Sequence, residues 1–197
     1  MTPGEIGFVS SIFTLGGLIG ALVAGPISAT RGRVRAMQLT AIFFTIGPIF
    51  EALSPSILVM SFGRFISGIG AGASVVVVPL YVSEVAPPAE RGFFGSFTQV
   101  MVNLGIFITQ LLGYFMSYGQ MWRVVLAAGG VIGLSLGFGL FTICESPKWL
   151  ATHSGKAREA RDILQKLRGD KFDVEEELSS WGVTSLYQGD DSECSDI

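Results

Sequence analysis

Charge is scarce in the long first part of this sequence: residues 1–144 hold six Arg and four Glu. Over all 197 residues 15% are charged and 49% hydrophobic, and the mean hydropathy is +0.55. A soluble domain needs more polar surface than that. Histidine is nearly missing, and the single His153 lies in a polar stretch where solvation accounts for it. The two cysteines, Cys144 and Cys194, have neither metal-ligand nor redox spacing. With no nucleophile set beside a base and an orienting group, and no phosphate loop, an enzyme is not expected, nor is a cofactor or metal site. The net charge of −3 comes without a basic face interleaved with aromatics, which excludes nucleic acid as a partner. Met1 to Glu5 lacks the basic start of a signal peptide.

What is present is long apolar runs. A hydrocarbon core of roughly 30 Å takes about 20 apolar residues in helix. Five runs qualify: Ile6 to Ala29, Ala36 to Leu53, Ile57 to Val82, Phe93 to Ser117 and Val124 to Cys144. They lack the alternation of barrel strands, so the fold class expected is an all-α membrane protein of about five transmembrane helices. Small residues recur at four-residue intervals within them: Gly16 and Gly20, Gly17 with Ala21 and Gly25, Gly68 and Gly72, Gly129 with Gly133 and Gly137. In lipid such stripes let backbones approach closely, and packing is the reading we favour for them. The run Gly68-Ile69-Gly70-Ala71-Gly72 also fits a loose dinucleotide fingerprint, but it sits inside an apolar helix and follows no strand.

The basic residues set an orientation. Arg31, Arg33 and Arg35 lie between the first two runs, and Lys148, Lys156, Arg158 and Arg161 follow the fifth. The positive-inside bias places both groups in the cytoplasm. The amino terminus then falls outside, and the simplest repair is a preceding helix absent from this sequence. Three regions are expected: a transmembrane bundle over 1–150, a cytoplasmic helical segment over 151–181, and an acidic disordered tail over 182–197. The middle segment carries an amphipathic stretch from Lys156 to Arg168, with Ala157, Ala160, Leu164 and Leu167 at helical spacing. From Asp173 onward there are eight acids and no base.

Ionisable groups at or within membrane helices are costly and usually functional. Arg33, Glu84, Arg91 and Glu145 fall near helix ends on one membrane face and are expected to form a gating charge cluster. Glu51 and Arg123 read instead as side chains reaching for the headgroups. Gln99, Asn103, Ile106 and Gln110 keep to one face of the fourth span, at spacings of four, three and four. They are the candidates for a solute path, with helix-packing amides as the even alternative.

The motifs carry a resemblance. Gly63-Arg64-Phe65-Ile66-Ser67-Gly68-Ile69-Gly70-Ala71-Gly72, then Pro79-x-Tyr81-x-x-Glu84-x-x-Pro87-x-x-x-Arg91-Gly92, resembles the signature of the sugar porter family of the major facilitator superfamily. Trp122-Arg123, Glu145-Ser146-Pro147-Lys148-Trp149-Leu150, and Gly155-Lys156 with Leu164, Leu167, Arg168 and Gly169 are similar to its later signatures. The likeness covers residues 6–178. The loop after the first run departs, with Ala29, Thr30 and Val34 where the family has an Asp and two basic residues, and Cys144 stands at the usual Pro.

The resemblance implies two six-helix halves rocking about a solute held between them. It makes these runs helices two to six of the first half, so the chain is expected to be incomplete and inactive alone. It assigns Arg64, Pro79 and Tyr81 as motif residues and maps the family's sugar contacts onto Gln99, with Asn103 and Ile106 on the same face. The implied partners are a sugar-like small molecule and a lipid bilayer; proton coupling and the identity of the membrane are left open. The alternative function is a non-transporting sensor or interaction protein derived from such a transporter.

Overall fold

A computed structural model of the chain describes residues 3–116, 118–119, 121–153, 156–169 and 174–181. The 182–197 tail lies outside the described residues. Five long helices come first: α1 (Pro3–Arg31), α2 (Arg33–Ala52), α3 (Ile57–Val85), α4 (Arg91–Met116) and α5 (Trp122–Gly139). Three short ones follow: α6 (Pro147–Ala151), α7 (Ala157–Arg168) and α8 (Val174–Ser180).

Four of these, α1, α3, α4 and α5, are long and apolar enough to cross a membrane. The second expected span, α2, falls short of them in apolarity because Arg33, Arg35 and Gln38 occupy its first two turns and Glu51 its last. Its 20 residues nonetheless rise about 30 Å. It packs against both α3 and α5, so protein groups meet its polar residues where lipid would not.

Packing in the bundle follows the small residues. Gly16 and Gly20 of α1 lie against the backbone of α3 at Phe65 and Ile69, and Gly68 and Gly72 return the contact at Phe13 and Gly17. A Cβ on Gly72 would strike the Gly17 carbonyl, so this crossing needs glycine. Gly133 of α5 meets the Phe44 and Thr45 backbone of α2 in the same way, whereas Gly25 has open space beside it. A small apolar core of Ala24, Val34, Ala36, Met37, Ala73 and Val77 fills the Arg-rich end of α1, α2 and α3. By contrast α4 has no buried residue, and its contacts with α3 and α5 are few.

Beyond α5 the chain builds a second core. Trp149, Leu150 and Ala151 of α6 pack with Ala160 and Leu164 of α7 and with Val174 and Leu178 of α8. This core joins residues on both sides of position 150. In α7 the buried face includes Ile163 at its margin, and Leu167, expected inside, is 44% exposed. Gly169 stops α7 with φ +83, a conformation that favours glycine, and its N–H donates to the Gln165 carbonyl at 2.8 Å.

Candidate functional site: a charge cluster at the Arg-rich end

The α1–α2 connection is one residue, Gly32, at φ +100. A side chain there would be strained, and its Cβ would also collide with the Glu145 carboxylate. That open flank lets Glu145 cap α2. Its Oε1 accepts from the Arg33 N–H at 2.8 Å and the Val34 N–H at 3.0 Å, and also from Ser146 N–H at 3.0 Å. Free N–H groups and the positive end of the helix dipole compensate this carboxylate.

Arg33 then turns to α3. Its Nε donates to Glu84 Oε2 and its Nη2 to Glu84 Oε1, both at 2.9 Å, while Nη1 donates to the Ser28 carbonyl at 2.9 Å. The side chains are 14% and 6% exposed, so the fork is largely desolvated. Ser146 completes the cluster: its hydroxyl donates to Glu84 Oε2 at 2.6 Å and accepts from Trp149 N–H at 3.2 Å, starting α6. Trp149 Nε1 donates to the Ala29 carbonyl at 2.7 Å. Thus the α1–α2 turn, the end of α3 and the α5–α6 connection are tied through two carboxylates, one guanidinium and one hydroxyl. Shifting any of these elements by a few ångströms breaks directional bonds, which makes the cluster suited to hold one arrangement of helices and release another.

The structure brings Arg33, Glu84 and Glu145 together but not Arg91. Arg91 is exposed at the first residue of α4, and its guanidinium has no partner among the described residues. A turn from Pro87 to Glu90 separates the end of α3 from the start of α4, and the shared membrane face did not become a shared cluster. Tyr81 adds a tie, its hydroxyl donating to the Cys144 carbonyl at 2.9 Å. Pro79 sits within α3.

The solute-path candidates Gln99, Asn103, Ile106 and Gln110 all lie on α4 and are all exposed. They line none of the cavities found between α2 and α5 or between α1, α2 and α3, both of which are apolar. Among the described residues their side chains make no hydrogen bond.

Two features escaped the sequence reading. At the far end of the bundle Glu51 does not reach for headgroups: it is 2% exposed, accepts from the Ser67 hydroxyl at 2.7 Å and lies 3.2 Å from Arg64 Nε. Arg123, read the same way, donates to the Ser54 carbonyl at 3.1 Å and lies over the Trp122 ring. At the Arg-rich end, Arg168 forks onto Glu177 at 3.0 and 2.9 Å and donates to the Val85 carbonyl at 3.0 Å and the Ala86 carbonyl at 3.3 Å. A guanidinium thereby satisfies carbonyls at the end of α3 and clamps the α6–α8 core to the bundle. The sequence placed Arg168 in one of the later signatures and at the end of an amphipathic helix, but named no partner for it.

A bundle of long apolar helices closed at one end by buried charges defines a multi-pass integral membrane protein, part of a major facilitator superfamily bundle. The chain belongs to the family described as Sugar (and other) transporter, whose sequence profile matches residues 3–193. It is 37% identical over 172 residues to the putative metabolite transport protein YwtG of Bacillus subtilis, covering 87% of this chain and 37% of that protein. With the probable polyol transporter 4 of Arabidopsis thaliana it shares 38% identity over 177 residues, 86% of this chain and 33% of the relative. The chain thus spans well under half the length of these two relatives. In fold it matches a partially occluded inward-open structure of the xylose transporter XylE from E. coli, with TM-score 0.83 and 26% identity over 95% of this chain and 49% of that one. It also matches XylE, a proton:xylose symporter, bound to 6-bromo-6-deoxy-D-glucose, with TM-score 0.79 and 26% identity over 91% of this chain and 42% of that one.

Proposed function

We propose that this chain serves transmembrane transport of a sugar-class solute by alternating access, as one helical bundle that requires an opposing bundle. The observation that carries the reading is the buried Arg33–Glu84–Ser146 cluster with its Glu145 cap, in a chain of the sugar transporter family. Such a cluster holds the Arg-rich end together in one state and must open in the other. The positive-inside bias makes that end cytoplasmic. Gln99, Asn103, Ile106 and Gln110 form the solute face: an amide offers both a donor and an acceptor, which suits hydroxyl-rich solutes. Their exposure supports a site completed by a surface across from α4.

Liposome uptake of several radiolabelled monosaccharides tests this. The purified chain alone should show no saturable uptake. Fused to the remaining helices of a sugar-transporting relative it should transport at least one of them, and Gln99→Ala should weaken apparent affinity about tenfold, a loss of one hydrogen bond's order. Saturable uptake by the chain alone would overturn the need for a second bundle. A folded fusion that carries no sugar in the panel would replace the transport reading with that of a sensor.

A further inference from the structure

The groove between α2 and α5 has no part in the charge cluster or in the solute face. It runs from Gln38 to Ile46 along α2 and from Gly133 to Phe141 along the other side, with a volume of about 250 Å³. Ile42, Leu134, Phe138 and Phe141 line it and are exposed. Its two polar lining residues have donors already engaged: Gln38 Nε2 donates to the Leu140 carbonyl at 3.5 Å, and the Thr45 hydroxyl to the Ala41 carbonyl at 2.9 Å. A polar solute entering here would lose water without gaining a set of partners, whereas hydrocarbon needs none.

Length and position narrow the occupant. Gln38 to Ile46 is about 12 Å of helix, which fits within one leaflet, half of a hydrocarbon core of roughly 30 Å. Gln38 marks the end nearest the charge cluster, so the groove lies in the leaflet on the Arg-rich side. The volume exceeds the roughly 150 Å³ that admits a benzene ring and falls below the range of about 300–1,000 Å³ for drug-sized ligands. A slender chain segment suits it.

The mouth is basic. Arg35, one turn beyond Gln38 on the same face of α2, is exposed, and its side chain has no hydrogen bond or ion pair among the described residues. Lys148 of α6, three residues after the Glu145 that caps α2, is exposed and equally without a side-chain partner among the described residues. Glu84 and Glu145, the carboxylates of the neighbouring cluster, are taken up by Arg33 and by the N–H groups of α2. An anion at this mouth meets two unpaired cations.

We propose that the α2–α5 groove binds a phospholipid with an anionic headgroup, one acyl chain lying along Ile42, Leu134, Phe138 and Phe141 and the phosphate on Arg35, with Lys148 alongside. The positive-inside bias makes this the cytoplasmic leaflet, which is the one that carries anionic lipid. The two contacts divide the recognition. Burial of methylenes holds any acyl chain, while the guanidinium fork, matched to phosphate oxygens, favours a headgroup of net negative charge.

Native mass spectrometry of the purified chain, released from liposomes of equal phosphatidylglycerol and phosphatidylcholine, tests this without any sugar, so its result is independent of the transport reading. One phosphatidylglycerol per chain should survive a detergent wash that strips phosphatidylcholine. Arg35→Gln should lower that retention about fivefold, the scale of one basic side chain at an anionic surface. Arg91→Gln, exposed at the same end but on α4, should leave it unchanged. Gly137→Leu should remove the lipid by filling the groove, since a Cβ there meets only the Ala41 methyl at 3.8 Å; Phe141→Ala, beyond the end of α5, should weaken retention severalfold and reads the same groove if Gly137→Leu does not fold. Equal retention of the two phospholipids, a retention unmoved by Arg35→Gln, or a lipid that stays on a folded Gly137→Leu would each overturn the proposal. So would cholesterol held in preference to phospholipid, or a dimer that Gly137→Leu dissolves, since either gives the groove to another occupant.

Discussion

Removing Glu84 should strand a cation. In Glu84→Ala, Arg33 keeps only the Ser28 carbonyl, having lost two charge-assisted bonds of 2.9 Å in a site where it is 14% exposed. Breaking a buried pair from one side costs about 3–5 kcal/mol. Arg33→Ala should cost a similar amount, since Glu84, 6% exposed, is left with the Ser146 hydroxyl. The double variant leaves neither charge unpaired, so its cost should fall short of the sum by about 2–3 kcal/mol, at the upper end of coupling between contacting residues. That shortfall corresponds to roughly a hundredfold in the folding equilibrium. Equilibrium unfolding in mixed detergent micelles, followed by tryptophan fluorescence, measures the cycle, and Trp149 reports from the cluster itself. The matching cycle for Glu84 and Arg91 should show coupling below about 0.5 kcal/mol, because Arg91 is exposed and apart. Additive Arg33 and Glu84 costs, or strong Glu84–Arg91 coupling, would refute the geometry on which the gating argument stands.

Further outcomes follow from other contacts. Gly72→Leu should prise α1 from α3 and cost about 3 kcal/mol in the same unfolding assay, while Gly25→Leu, with open space beside it, should be near neutral. Arg168→Ala should cost about 3 kcal/mol locally by leaving Glu177 and the Val85 and Ala86 carbonyls unpaired; faster proteolysis between α6 and α8, with the bundle intact, is the readout. For topology, Arg35→Cys and His153→Cys, each in a background with Cys144 and Cys194 replaced by Ser, should resist an impermeant thiol reagent added outside intact cells, and labelling of either would reverse the orientation.

Apolar length and small-residue period are local properties, and both were legible. Each run expected to span appears as a helix, and glycines four apart on α1 and α3 face each other. Period alone did not give helix ends. Residues 140–144 look as apolar as the helix before them, yet α5 stops at Gly139 and the chain turns to deliver Glu145 to the start of α2. Nor could hydropathy rank α2, whose polar residues lower its average while α3 and α5 supply their partners.

Ionisable residues were legible as exceptions, and the grouping of Arg33, Glu84 and Glu145 with them, but Arg91 and Glu51 were misplaced, and these two errors run in opposite directions. Arg91 stands in one motif with Glu84, which made a pair look natural; a motif fixes the spacing along the chain, however, and a turn containing two prolines separates the ends of α3 and α4. Glu51 stands in no motif and at a helix end, where reaching for the headgroups costs least. What decides otherwise is the packing of Gly47 against Ser67 and of Gly63 against Glu51. Glycines on both helices bring α2 and α3 close enough that the space above Gly63 accepts a carboxylate, and Arg64, the next residue along, compensates its charge. The signal was therefore split between two helices, with the backbone approach needed to join it, and an arginine adjoining a small-residue contact is the feature that could have flagged it.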